Sequence, residues 1–174
     1  MRNCLVIDLD RCSGCDTCVA ACKYENNVPL GEYWNRVNVV GPTGTWPRIE
    51  QYWLPTQCQQ CENAPCITAC PTGASYRDEE NGLVLIDHET CIGCQTCATA
   101  CPFGIPQYSP ADGKMDKCDG CLTCGRTPED EPHCVASCPT KALHFGPIEE
   151  MEALAAEKGG ARLEGETNPC TFIA

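Results

Sequence analysis

Sixteen of the 19 cysteines in this chain fall into four groups of four. Group one is Cys12, Cys15, Cys18 and Cys22. Group two is Cys58, Cys61, Cys66 and Cys70, with Pro71 after it. Group three is Cys91, Cys94, Cys97 and Cys101, followed by Pro102, and group four is Cys118, Cys121, Cys134 and Cys138, followed by Pro139. Each group opens with Cys-x2-Cys and closes with Cys-x3-Cys. Thiolates at this density are metal ligands or redox dithiols. Three chemistries compete. Disulfides call for an oxidising compartment, and the N-terminal stretch from Met1 to Asp8 lacks the apolar region of a secretory leader. Zinc takes two Cys-x2-Cys pairs, whereas groups one and three crowd three cysteines into seven residues with a fourth soon after. Iron–sulfur clusters want this crowding. In the run Cys-x2-Cys-x2-Cys-x3-Cys-Pro, three thiolates wrap one cubane and the fourth reaches a second. Sixteen ligands at four per cubane predict four 4Fe–4S clusters.

The shared ending also sets the register of group four. Cys124 lies three residues after Cys121 and mimics the third member of a triplet. In every other group, however, the third cysteine stands four before the last, which assigns Cys134. Cys124, Cys4 and Cys170 are then spare, and are expected to be buried apolar thiols.

Exchange of fourth ligands requires groups to pair. Groups two and three are separated by a short linker with a strand-like Leu83-Val84-Leu85-Ile86-Asp87 run, which suits one compact unit. Cys70 is therefore expected with Cys91, Cys94 and Cys97, and Cys101 with Cys58, Cys61 and Cys66. Groups one and four must then pair across the chain, placing Cys22 with Cys118, Cys121 and Cys134, and Cys138 with Cys12, Cys15 and Cys18. The other pairing, one with two and three with four, has to close the longer linker between Cys22 and Cys58. The expected fold is α+β and loop-rich, with two bacterial-ferredoxin-like units, one nested in the other. Residues 1–57 and 102–147 form the outer unit and 58–101 the inner one. Residues 148–174 form a C-terminal helix and docking tail, the tail from Ala161 carrying little core.

Local signals agree. Leu5 to Asp8 and Leu83 to Asp87 read as strands delivering the chain to a triplet, and Thr17 to Glu25 and Thr96 to Ala100 as short helices after it. Gly14 and Gly93 allow the backbone to turn tightly toward sulfur. Tyr33 to Leu54 reads as two strands around a Gly41-Pro42-Thr43-Gly44 turn, and Pro147 to Lys158 as a helix ended by Gly159-Gly160.

Composition narrows the function. The hydrophobic fraction of 43% counts the cysteines, and only 6% of residues are aromatic. The remaining core is thin for 174 residues, so bound clusters must supply interior volume. A net charge of −12 excludes a basic nucleic-acid footprint, and no apolar run is long enough to span a membrane. No Ser-His-Asp set, phosphate loop or dinucleotide fingerprint is present. His133, beside Cys134, is expected in a solvated loop, and the acidic runs at 78–80 and 129–131 as solvated loops. Of the indoles at Trp34, Trp46 and Trp53, packing over a cluster is expected.

Several stretches carry a resemblance. They are Cys18-Val19-Ala20-Ala21-Cys22-Lys23 with Glu25-Asn26-Asn27, Ala64-Pro65-Cys66 through Cys70-Pro71-Thr72-Gly73-Ala74, and Cys91-Ile92-Gly93-Cys94 through Cys101-Pro102-Phe103-Gly104. Lys117-Cys118-Asp119 and Cys134 through Leu143 complete the set. Together they resemble the four-cluster iron–sulfur electron-transfer subunit of dimethyl sulfoxide reductase-type molybdopterin oxidoreductases. The resemblance covers most of residues 1–147 and departs at Cys124, where the family more often has another residue. It implies an electron-transfer subunit without catalytic residues of its own, partnered by a molybdopterin-containing catalytic subunit. Beyond that it implies a membrane anchor or another electron-donor or acceptor protein. It also implies that the terminal cysteine groups face the catalytic subunit. The lack of a leader-like apolar stretch is expected to mean the cytoplasm, or export in folded form with a signal-bearing catalytic subunit. The runner-up is a polyferredoxin-type subunit of a hydrogenase or formate–hydrogen system. A zinc-rich interaction module is the reading from another class, and metal analysis separates it from the first two.

Overall fold

The computed structural model of the chain describes residues 3–127 and 129–174. It is built from short elements in an α+β arrangement. In chain order these begin with β1 (Asn3–Ile7), α1 (Thr17–Glu25), β2 (Arg36–Thr45), β3 (Arg48–Thr56) and α2 (Pro65–Thr68). The middle contains β4 (Ser75–Arg77), β5 (Val84–Ile86), α3 (Thr96–Ala100), β6 (Gln107–Ser109) and β7 (Lys114–Asp116). The chain closes with α4 (His133–Ala136), β8 (Leu143–Pro147), α5 (Ile148–Glu157), β9 (Ala161–Arg162) and β10 (Thr171–Ile173).

The largest sheet runs β8-β1-β10-β9. β1 is antiparallel to β8, with Ile7 opposite Leu143, and parallel to β10, with Ile7 opposite Ile173. Alternation along β1 gives it two working faces. Leu5 and Ile7 pack with Cys18, Cys134, Val135 and Cys138. Cys4 and Val6 pack on the other side with Met151, Ala155, Cys170 and Phe172. α5 covers that second face, and Lys158 beyond its end pairs with Asp8 beyond the end of β1 at 2.8 Å. A separate core under β4 and β5 gathers Cys61, Cys66, Cys91, Cys97, Val84 and Met115. Cysteine is a component of all three of these cores.

Three features differ from expectation. The tail is not a bare arm: Cys170, Thr171 and Phe172 are buried, and β10 occupies an interior position of the main sheet. Cys4 and Cys170 are buried as expected, but they are joined to each other, with Cα atoms 5.1 Å apart. In the β2–β3 hairpin, the chain reverses at Trp46-Pro47, between the paired residues Thr45 and Arg48. Gly41 and Pro42 instead fall inside β2, where the register shifts between Val40 and Thr43. Proline has no N–H to give a ladder, so a bulge accommodates it where regular pairing would not.

Candidate functional site: four cysteine quartets

The two expected helices form as read, and each positions cysteines by its period. α1 buries Cys18 and Cys22, one turn apart on one face. α3 buries Cys97. Ahead of each helix the chain passes through two successive left-handed residues: Gly14 (φ 66°) is followed by Asp16 (φ 58°), and Gly93 (φ 66°) by Gln95 (φ 63°), with one cysteine between them in each case. At Gly14 a β-carbon would strike the Trp53 indole, and at Gly93 the Gly113 carbonyl, so glycine is needed for space as well as for φ.

The sulfurs converge in four sets. Cys58, Cys61, Cys66 and Cys101 line one cavity, walled by Ala64, Val84 and Phe103. Cys70, Cys91, Cys94 and Cys97 line another, with Ile86 and Met115. Cys12 faces Cys15 and Cys138, and Cys18 faces Cys12 and Cys138. The Asn26 amide bridges Cys22 and Cys121 with Nδ2–Sγ separations of 3.9 and 3.7 Å. Cys134 faces both of these, and Cys118 faces Cys22 and Cys134. Cys101 and Cys70 thus line cavities with the triplets of their partner groups, Cys138 lies near Cys12 and Cys18, and Cys22 lies near Cys118, Cys121 and Cys134 as well as its own Cys18. Neighbouring sets also lie close: Cys118 and Cys58 line a common cavity, and Cys97 lies within electrostatic reach of Cys66.

The surroundings differ sharply between sulfurs. Cys15 and Cys94 are exposed. Their thiols lie 3.4 and 3.3 Å from the hydroxyls of Thr17 and Thr96, and these contacts hold both below the ordinary thiol range. Cys70 and Cys138 lie 3.7 and 3.6 Å from the hydroxyls of Thr72 and Thr140. They also accept N–H bonds from Ser75 and Ala142 at 3.4 and 3.3 Å. Burial alone would raise Cys70 and Cys138, but these donors together bring both down. At five other thiols burial wins. It pushes Cys18 and Cys97 up to about 11 and Cys22 to about 12, and raises Cys118 and Cys134 strongly.

Quartets of thiols so packed would repel one another as bare thiolates in a low dielectric. A cationic, thiophilic centre resolves that, and all-sulfur sets of four match iron–sulfur ligation. The polar lining fits as well. Ser75 Oγ, Thr167 Oγ1 and Asn35 Nδ2 are buried without a hydrogen-bond partner. They face Cys66, Cys61 and Cys18 respectively, where sulfur is the available acceptor. Lys117 is buried on the wall of the Cys58–Cys101 cavity and donates to the carbonyls of Val84 and Cys118. Sequence reasoning missed these residues as a class. The hydroxyl contacts leave only a partial trace, since a threonine follows a cysteine by two residues at Thr17, Thr72, Thr96 and Thr140 but also at Thr68, Thr99 and Thr123.

The remaining candidates sort as follows. Cys124 is partly exposed and donates its thiol to the Cys121 carbonyl at 3.2 Å. His133 is not a free loop residue: it starts α4 between Arg126, at 3.3 Å, and Glu25, at 3.7 Å. Trp34 is buried beside Cys22, Trp53 lies against Gly14, and Trp46 is 85% exposed, so only two of the three indoles pack as expected.

Comparison with known proteins agrees with this chemistry. A family model described as a 4Fe–4S dicluster domain matches residues 49–148, and one described as a 4Fe–4S binding domain matches residues 9–25. The thiosulfate reductase electron transfer subunit of Salmonella typhi is 44% identical over 83% of this chain and 76% of its own length. A component of the anaerobic dimethyl sulfoxide reductase of Escherichia coli is 42% identical over 83% of this chain and 73% of its own length. A putative iron–sulfur subunit of the dimethyl sulfoxide reductase of Halobacterium salinarum is 38% identical over 88% and 69%. With a dicluster match over more than half the sequence and relatives this similar over most of it, this protein belongs to the 4Fe–4S iron–sulfur electron-transfer subunits of the dimethyl sulfoxide reductase type.

Proposed function

We propose that the chain relays electrons through four 4Fe–4S clusters, held by the quartets Cys12/Cys15/Cys18/Cys138, Cys22/Cys118/Cys121/Cys134, Cys58/Cys61/Cys66/Cys101 and Cys70/Cys91/Cys94/Cys97. Each cluster, once bound, passes a single electron at a potential tuned by its protein shell. The chain's own task is to hold the sulfurs, order the four sites in a row and keep water from the middle of it. The observation that carries this reading is the exchange of the last cysteine between groups. α1 supplies Cys18 to one quartet and Cys22 to the next, and Cys118 beside Cys58 links the second to the third. The same exchange supports two ferredoxin-like units, one nested in the other: residues 1–57 with 102–147 outside, and 58–101 within. Residues 148–174 then brace the outer unit through α5 and β10.

One end of this row exchanges electrons with a molybdopterin-containing catalytic subunit. The other serves a membrane anchor or another donor or acceptor protein. The chain works in the compartment of its catalytic partner. Among the described residues no helix is long and apolar enough to cross a membrane. The relatives favour this reading over a hydrogenase-type polyferredoxin.

Anaerobic reconstitution tests the proposal. Iron and acid-labile sulfide should each approach about sixteen per chain, four for each cubane. Cys134→Ser should lose or convert one cluster, while Cys124→Ser keeps all four. Zinc in place of iron would overturn the reading, and iron loss on Cys124→Ser without loss on Cys134→Ser would overturn the assignment of the second quartet.

A further inference from the structure

We propose that Thr17, Thr140, Thr72 and Thr96 are positioning residues that raise the reduction potentials of the two terminal quartets by donating hydroxyl hydrogens to cysteine sulfur. The proposal deepens the electron-relay reading and rests on it.

The pattern is regular. Each threonine follows its cysteine by two residues, and each of the four touches a different sulfur, at 3.3 to 3.7 Å. Two come from the first residue of a helix, Thr17 in α1 and Thr96 in α3. The other two come from Cys-Pro-Thr, at Thr72 and Thr140. They divide evenly: Cys15 and Cys138 belong to one terminal quartet, Cys70 and Cys94 to the other. Among the described residues, no hydroxyl–sulfur bond of this kind is seen on Cys22, Cys118, Cys121 or Cys134, where the Asn26 amide is the side-chain donor, and in the other middle quartet the Ser75 and Thr167 hydroxyls face Cys66 and Cys61 without making one. Thr72 and Thr96 are exposed, so water could satisfy their hydroxyls. Geometry turns them to sulfur instead.

The chemistry follows from charge. When a quartet's cluster gains one electron, the neighbouring carrier that gave it is oxidised by one electron, and no proton or bond is transferred. Negative charge on the four sulfurs grows. A hydroxyl donor aimed at a thiolate stabilises that added charge more than it stabilises the oxidised state. Removing it makes reduction harder.

The test is a redox titration, followed by electron paramagnetic resonance, of the whole iron-loaded chain, with iron and sulfide counted on the same samples. Thr96→Val removes the donor at nearly constant volume. It should move one midpoint potential to a more negative value and leave the other three in place. Thr72→Val should move the same one, and the double variant should move it further. Thr17→Val and Thr140→Val should act together on a different cluster. The serine variants keep the hydroxyl and should stay near the wild-type values. If valine disturbs helix α3, Thr96→Ala removes the donor without adding branching and should produce the same shift. Full iron with unmoved potentials would overturn this inference and leave the relay standing, as would serine variants that shift as far as valine. A wild-type chain that takes up no iron would overturn both.

Discussion

The two proposed terminal quartets and the two middle ones are built from the same ligand and differ in the exposure of one cysteine and in the hydroxyls bonded to sulfur. Each terminal quartet has an exposed cysteine, Cys15 or Cys94, and a pair of threonine hydroxyls. Both kinds bury other cysteines, Cys18, Cys138, Cys91 and Cys97 in the terminal quartets and Cys22, Cys61, Cys66, Cys121 and Cys134 in the middle ones, but no middle cysteine is exposed, and Cys58 and Cys118 line the same cavity. The difference goes with spacing: the terminal triplets run Cys-x2-Cys-x2-Cys, whereas the middle ones run Cys-x2-Cys-x4-Cys and Cys-x2-Cys-x12-Cys. The tighter triplets each put a cysteine at the surface, and the wider ones keep theirs covered, with Lys117 buried on the wall of one. Sulfur that is costly to charge in isolation is tolerable there only because a metal centre shares the charge.

The comparison is most directly broken by removing ligands from each class. Cys134→Ala, in the middle, should lose its cluster and most of the secondary structure with it, since metal binding and folding are coupled where the apolar core is thin. Cys94→Ala, at the surface, should lose or convert one cluster and keep the fold. Iron content and far-ultraviolet circular dichroism on both variants check this, and equal collapse would erase the distinction.

A second comparison separates the two ends. Gly93→Ala drives a β-carbon into the rigid Gly113 carbonyl, whereas Gly14→Ala meets the Trp53 indole, which can swing aside. Both add the cost of a left-handed alanine, about 1–2 kcal/mol. Gly93→Ala should therefore lower the thermal midpoint more than Gly14→Ala does. In the middle, Lys117→Met leaves the Val84 and Cys118 carbonyls without their donor. A buried polar group left unpaired costs about 1–3 kcal/mol, measurable as a shift in denaturant midpoint at unchanged slope.

The smallest effect lies outside the quartets. Burial alone would raise the Asp8 carboxyl, but the hydrogen bond from Lys158 and the Arg11 amide hold it below its ordinary 3.8. A lowered carboxyl stabilises above its unfolded value and loses that contribution as pH falls through its folded value. Lys158→Met should cost about 1 kcal/mol near neutral pH and nothing further once Asp8 is protonated. A cost that persists unchanged in acid would assign it to packing of the lysine stem instead.

Legibility in the sequence followed locality. A cubane imposes its own spacing, so the sixteen cysteines, the left-handed turns at Gly14 and Gly93 and the helices from Thr17 and Thr96 could be read from neighbours a few residues apart. The placement of Cys70 and Cys101 away from their own triplets could be reasoned from the length of an intervening linker. What escaped depends on distant chain. Cys4 meets Cys170 across 166 residues, and β10 enters the sheet only because β1 presents a free edge to it. The hairpin turn was misplaced because Gly41-Pro42-Thr43-Gly44 carries turn chemistry that the bulge uses as readily as a reversal does. Thr17 and Thr96 were read as helix starts, and Thr72 and Thr140 only within motif stretches, since a hydroxyl's direction has no signature in residue type.

The two-faced strand β1 has a consequence for the order of assembly. Both of its partners, β8 and β10, lie well over a hundred residues further along the chain, as does Cys138, which completes the quartet begun by Cys12. Synthesis proceeds from the N-terminus at a finite pace, so the earliest segment must remain unpaired, with its thiols unprotected, while everything after it is made. The segment 58–101, by contrast, contains all eight sulfurs of its two quartets. Cluster insertion should therefore begin in the interior of the sequence and finish at its first cysteines, and oxidative damage to the nascent chain should concentrate at Cys12, Cys15 and Cys18.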